Sequence, residues 1–280
     1  MKTFGAKRKK KNPSLFTGRE QQLALFKQNL DNGPDHEDFI NIFNIHGQGG
    51  VGKSTLAKRY VEIAKEKQYL PAFIEQENLK LRTLPEFMAA IANAFTKQGA
   101  DFTAFDKSYK RYLQETERLE KDIAYPSWAK TVGSTIVKMG MKAIKTVDGG
   151  VISGQLPEDL IAEQSGEWLE FLRKKVTNKD EIQLLAEPLA VLTPLWLQAL
   201  NQFAEKHTYC IFIDTYEVAL PILDVWLRKL LLEQYGALNY KILLVIGGRN
   251  RLPTTHWSEF NDDIQFLSLK KFTEEEATSY

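Results

Sequence analysis

Cysteine is almost missing from this chain of 280 residues, where Cys210 stands alone. One cysteine excludes an intramolecular disulfide framework and a multi-cysteine metal site, and it fits a reducing, cytoplasmic setting. An excess of one charge is missing too. Lys and Arg number 37 against 36 for Asp and Glu, so the chain as a whole is neither a polyanion binder nor an acidic solvating protein. Long apolar runs are also absent. The nearest approach, residues 131–154, is interrupted by Lys138, Lys142, Lys145 and Asp148 and falls short of the roughly 20 apolar residues that a membrane span needs. It reads as a small-residue helix or a flexible insert. The basic N-terminus is followed by no apolar signal-peptide segment, and no solenoid-length repeat is visible. What remains is 43% hydrophobic and 26% charged, enough to bury one large core or two small ones.

Along the chain, residues 1–14 read as a basic, flexible tail carrying Lys2, Lys7, Arg8, Lys9, Lys10 and Lys11. Such runs are usually solvated, and contact with nucleic acid is the alternative. A short amphipathic helix is expected over 19–30, ended by Asn32-Gly33-Pro34-Asp35. An apolar run at 39–45 reads as a buried strand, followed by a glycine-rich loop and a helix over 53–68. A second strand is expected at 69–75. Residues 83–205 are mostly helical in pattern, with helices over 85–95, 107–123, 158–175 and 194–206 and a small-residue stretch at 125–160. Further strands are expected at 209–213, 241–246 and 263–269, with a helix over 218–234. Thr273-Glu274-Glu275-Glu276 matches a capping box and predicts a helix that the chain barely enters. The expectation is therefore that further C-terminal domains follow in a longer protein. Strands alternating with helices predict an α/β fold with a mainly parallel five-stranded sheet and helices on both faces.

Gly47-Gln48-Gly49-Gly50-Val51-Gly52-Lys53-Ser54 fits G-x-x-x-x-G-K-[ST], the P-loop pattern. Glycines let a backbone fold around phosphate oxygens, and the helix that follows adds N–H donors and partial positive charge. In that reading Lys53 reaches the β- and γ-phosphates, the Ser54 hydroxyl ligates Mg²⁺, and Thr55 supports the α-phosphate. Magnesium needs a second anchor. Asp214, at the end of an apolar strand, is the candidate, through water because Mg²⁺ holds its hydration shell; an Asp capping the next helix is the alternative. Glu217 either orients and deprotonates the attacking water or caps that helix. Arg249, in the loop after a strand, suits γ-phosphate sensing by its forked, permanently charged donors. Arg251 competes for that role, and a surface salt bridge is the alternative for both.

These motifs, in this order, resemble the STAND NTPases, signal-transduction ATPases related to AAA+ proteins that include the NB-ARC and NACHT types. Leu15-Phe16-Thr17-Gly18-Arg19-Glu20 resembles the Gly-Arg-Glu motif that precedes their P-loop. The stretch from Gly47 to Ala57 is similar to their Walker A, and Ile211-Phe212-Ile213-Asp214 to their Walker B. Leu243 to Arg249 resembles their sensor strand, and Leu267 to Ala277 the segment leading out of the nucleotide domain. The resemblance spans roughly residues 15–280. It implies a three-layer P-loop NTPase sandwich with a long helical insert, about 99–205, between the second and third strands. It also implies that Phe16, Thr17 and Arg19 lie near the adenine end, so that ATP and ADP with Mg²⁺ are the ligands. The function implied is an ATP/ADP switch with slow hydrolysis and self-association through the nucleotide domain. An AAA+ ATPase acting on DNA, as in origin recognition, is the alternative; a P-loop small-molecule kinase fits less well because no arginine-rich lid is apparent. Thr215 departs from the pattern, because many relatives carry a second acid there.

Overall fold

The strands of this chain are apolar on both faces, and that dictates where they go. In the computed structural model, which describes residues 19–75, 83–131, 158–216 and 221–271, β3 (Tyr209–Asp214) and β4 (Ile242–Gly248) are buried along their whole length. They join β1 (Ile42–His46), β2 (Leu70–Glu75) and β5 (Ile264–Ser268) in one sheet of order β2-β3-β4-β1-β5. All neighbouring pairs are parallel. Such strands need cover on both faces.

Alternation along each strand divides the core in two. Phe43, Ile45, Phe212, Leu243 and Val245 face one side and meet Phe26, Leu56, Tyr60 and Ile63. These come from α1 (Glu20–Asn32) and α2 (Lys53–Glu66). Tyr60 stacks on Phe26 with centroids 3.9 Å apart, and its hydroxyl donates to the Gln22 carbonyl at 2.8 Å. Cys210 is buried in this layer, where desolvation pushes its thiol pKa up.

Ile42, Ile211, Ile213, Leu244 and Ile246 face the other side. There they meet a larger helical layer: α3 (Leu84–Thr96), α4 (Thr103–Glu120), α5 (Ser127–Thr131), α6 (Glu158–Lys175), α7 (Lys179–Ala186) and α8 (Pro188–Lys206), all between β2 and β3, and α9 (Pro221–Leu231) after β3. Trp196, fully buried, donates its indole N–H to the Met88 carbonyl at 3.0 Å and packs 5.8 Å from Trp226. The result is an α/β arrangement of three layers, helices on both sides of one parallel sheet.

Several boundaries differ from expectation. The helix expected to begin at Pro194 starts at Pro188 and carries Pro194 inside it. Proline in a helix interior removes one backbone bond, but burial of Leu189, Leu192 and Thr193 holds the turns before it. The segment expected to be helical from 107 runs instead over Thr103–Glu120. Thr83 caps α3 through a reciprocal bond with Glu86, a signal the helical reading passed over. The expected capping box at Thr273 and the basic tail lie outside the described residues.

Among the described residues no single helix is long and apolar enough to cross a membrane; α7 and α8, bent by 95°, pass only as a pair. Helix α8 is instead buried in the core through Leu192, Trp196 and Leu200.

Trp196 ties α8 to both α3 and α9. Trp196→Ala should therefore destabilise the fold by about 3–5 kcal/mol, read as a lower urea midpoint at unchanged slope. A loss below about 1 kcal/mol would mean the helical layer does not depend on it.

Candidate functional site

In a parallel sheet all strands end on one edge, and loops there meet at the point where strand order reverses. Here β1 lies between β4 and β5, and its end is clamped from both sides. The Gly47 N–H donates to the Arg249 carbonyl at 3.2 Å, and the Leu269 N–H donates to the His46 carbonyl at 2.7 Å. A Cβ on Gly47 would stand 2.3 Å from the Leu269 carbonyl oxygen, so only glycine fits.

The chain then turns through Gln48, Gly49 and Gly50, all exposed, to buried Val51. Gly52, at φ 92°, takes the left-handed conformation that opens α2. No side chain caps this helix start, unlike α3, capped by Thr83, and α7, capped by Asn178. The first turn of α2 therefore faces the loop without a capping side chain at its N-cap. Lys53 folds back over the loop and donates its ammonium to the carbonyls of Gly47 and Gln48, at 2.8 and 2.9 Å. Ser54 beside it is half-buried and Thr55 is exposed.

Arg19 sits beneath the loop. It is 9% exposed, and its guanidinium donates to the Val51 carbonyl at 3.2 Å and to the Lys270 carbonyl. It thus joins the loop to the chain leaving β5. The structure describes Arg19 in this bridging position; Phe16 and Thr17, expected beside it, lie outside the described residues.

Asp214 ends β3 on the face covered by α2, since Cys210 and Phe212 belong to that layer. It is 2% exposed. Its Oδ2 is buried with no hydrogen-bond partner among the described residues, while Oδ1 lies 3.1 Å from where a Gly247 Cβ would stand. The carboxylate therefore leans over β4, whose other neighbour is β1. A buried carboxylate oxygen without a partner is unfavourable unless something else holds it. Thr215 follows at φ 60°, a strained conformation for a β-branched residue. Glu217 lies outside the described residues.

Arg249 is exposed at the end of β4, adjoining the glycine loop through its carbonyl. Arg251 lays its guanidinium carbon 3.7 Å from the centroid of the Phe266 ring, near enough to His46 for its charge to act there. Arg249 adjoins the loop through its backbone carbonyl.

Three residues escaped sequence reasoning. Asn44, buried in β1, donates to the Ile246 carbonyl at 3.2 Å and accepts from the Leu252 N–H at 3.1 Å, pinning the turn that carries Arg249. Gly247 leaves space for the Asp214 carboxylate. Glu75, at the end of β2, stands opposite Asp214 in register; its only sequence signal is an acid at a strand end.

Among the described residues no group of three or more His, Cys, Asp or Glu side chains forms a metal cage. The residues expected to hold a cation are instead one hydroxyl, half-buried Ser54, and one carboxylate, Asp214, whose buried Oδ2 has no partner among the described residues. Such a sparse oxygen set fits a hard cation that keeps its waters and shares a ligand's phosphates. No protein-family profile matches the chain, and no curated protein matches it either.

Gly47→Ala forces a backbone collision that no rotamer relieves, so stability should fall by about 1–3 kcal/mol. Gly49→Ala meets nothing within 4 Å and should change it by less than about 0.5 kcal/mol; equal losses in thermal melts would refute the clamp. His46 gives a pH prediction. Burial, then the Arg251 charge, lower its pKa from 6.5. The folded state thus prefers neutral imidazole, a contribution fully present above 6.5 and lost as pH falls through the lower folded value. His46→Gln should flatten the fall in unfolding free energy over that window.

Proposed function

We propose that this chain is the nucleotide-binding part of a signal-transduction ATPase, a P-loop NTPase core that binds ATP or ADP with Mg²⁺ and hydrolyses ATP slowly. The single observation that carries this reading is the Oδ2 of Asp214, buried with no hydrogen-bond partner among the described residues, on the α2 face of the sheet. It leans over β4 toward the strand whose glycine loop holds Lys53 and Ser54. The loop, the uncapped start of α2 and the Lys53 ammonium together suit a polyphosphate.

In this reading Lys53 leaves the Gly47 and Gln48 carbonyls for the β- and γ-phosphate oxygens. The hydroxyl of Ser54 and the carboxylate of Asp214 are the residues that would hold Mg²⁺. When bound, the ion neutralises the charge that builds up on the phosphates. Arg249 reads the γ-phosphate and Arg19 braces the loop from below. The five described helices from α4 to α8, within about residues 99–205, are then the insert of the nucleotide domain, a candidate for partner binding. A switch requires that ATP and ADP be bound with different contacts in two states, and Arg249 is the proposed source of the difference. Self-association through this domain belongs to the same reading.

Titration calorimetry with ATP and ADP, with and without Mg²⁺, tests it. Lys53→Ala should weaken ATP binding at least about tenfold, a loss of about 1.4 kcal/mol, and Asp214→Asn should remove the Mg²⁺-dependent part alone. Absence of adenine-nucleotide binding by the wild type, or unchanged affinity in Lys53→Ala, defeats the proposal. Arg249→Ala should keep ADP affinity and abolish ATP-dependent assembly, measured by light scattering; equal loss of both removes Arg249 from sensing.

A further inference from the structure

The proposed hydrolysis needs a group that takes a proton from water, and the position after Asp214, Thr215, has no carboxylate. Asp214 itself is a poor choice. It is buried, and its role in the reading above is to hold the ion. Glu75 is better placed on four grounds.

First, Glu75 and Asp214 are register partners on adjacent parallel strands, about 4.8 Å apart in the sheet. Second, both belong to the same face. Phe73, two residues before Glu75, packs in the layer of α1 and α2, as Cys210 and Phe212 do before Asp214. Third, Lys58 of α2 reaches the Glu75 carboxylate at 3.3 Å. Lys58 follows Ser54 by four residues, so the two share a helix face with Cβ atoms about 5–6 Å apart. The Glu75 carboxylate therefore lies within about a helical turn, plus the length of a lysine, of the hydroxyl proposed to hold the ion. Fourth, the Glu75 side chain is 27% exposed and that of Lys58 is 58% exposed. Part of the carboxylate's surface is thus open to water. The buried, unpartnered Oδ2 of Asp214 beside it marks this end of the row as a place where a ligand is held, which two neighbouring acids alone would not.

We propose that Glu75, at the end of β2, orients and deprotonates the water that attacks the γ-phosphate. This rests on the nucleotide reading above and adds a catalytic residue to it. The water oxygen bonds to the γ-phosphorus as the bond to the β–γ bridging oxygen breaks. One water proton passes to the Glu75 carboxylate and is then released to solvent. The products are ADP, which keeps the bridging oxygen, and inorganic phosphate. Lys58 is the side chain that positions the carboxylate.

The test is Glu75→Gln in the full chain, with turnover measured alongside two readouts that are not activity. These are ATP and ADP affinities by calorimetry, and the nucleotide retained after incubation with ATP and gel filtration. The expected result is a fall in turnover of about 10²–10⁴-fold, affinities within about twofold of wild type, and retained ATP where wild type retains ADP. Lys58→Met removes the ion pair and leaves the carboxylate, so turnover should stay within about tenfold. If Glu75 serves only the ion pair, Lys58→Met will match Glu75→Gln in turnover and melting temperature, and the proposal falls. It falls equally if Glu75→Gln keeps wild-type turnover, if Glu217→Gln alone abolishes it, or if wild type binds ATP without hydrolysing it. Failure of wild type to bind any adenine nucleotide refutes the underlying nucleotide reading, and the calorimetry separates that case from the others.

Discussion

The end of β1 is held between two neighbours, and the backbone there leaves no room for a side chain. Gly47 donates to Arg249 on one side, His46 accepts from Leu269 on the other, and the Leu269 carbonyl occupies the space a Cβ would need. Backbone bonds of this kind each contribute about 1 kcal/mol. Their larger effect is geometric. They fix the point from which the glycine loop departs, and with it the direction of α2 and the positions of Lys53 and Ser54. Asn44 extends the clamp by tying β1 to the turn after β4. Arg19 extends it on the far side by joining Val51 to Lys270.

Given that clamp, alternation along the strands decides the rest of the site. Asp214 and Glu75 emerge on the α2 face because β3 and β2 pair in register with each other, and β3 pairs in register with β4. A slip of one residue would turn either acid into the opposite helical layer. The large apolar residues enforce the register: Phe212 and Val245 fill the thin layer, and Ile211, Ile213 and Ile246 fill the thick one. The core therefore specifies the site through parity. Tyr216, just past Asp214, adds a lateral anchor. Its hydroxyl bonds Asp224, which also accepts from Trp257 and Arg228, so the chain leaving β3 is tied to α9.

Much of this was legible in the sequence because it is local. The glycine pattern at 47–54, the apolar runs at 209–213 and 241–246, and the strand–helix alternation each follow from neighbours along the chain, and they lead to five strands and a parallel sheet. What was not legible is what depends on pairing. Glu75 reads as an ordinary acid until β2 is set beside β3. Asn44 reads as a polar interruption of a strand until its two backbone partners, more than 200 positions away, are known. Pro194 reads as a helix start, and only burial of the preceding turns explains its place inside α8. Arg19 was assigned from a motif, but its bonds to Val51 and Lys270 come from the fold.

The site combines a rigid frame with one unmet demand. Around Asp214 the backbone is paired, the side chains are packed and the neighbouring turn is held even at the strained φ of Thr215. Strain of that kind, of order 1–3 kcal/mol, persists only where the surroundings over-determine the conformation. Within this frame Oδ2 of Asp214 has no partner among the described residues, and the cost of burying it falls on the folded state alone. A ligand that satisfies it meets groups already in place, so little of the binding free energy goes to ordering them. In the proposed switch the same rigidity limits how ATP is told from ADP: buried Asp214 cannot move far, so discrimination falls to exposed Arg249 on one side and half-buried Glu75 on the other.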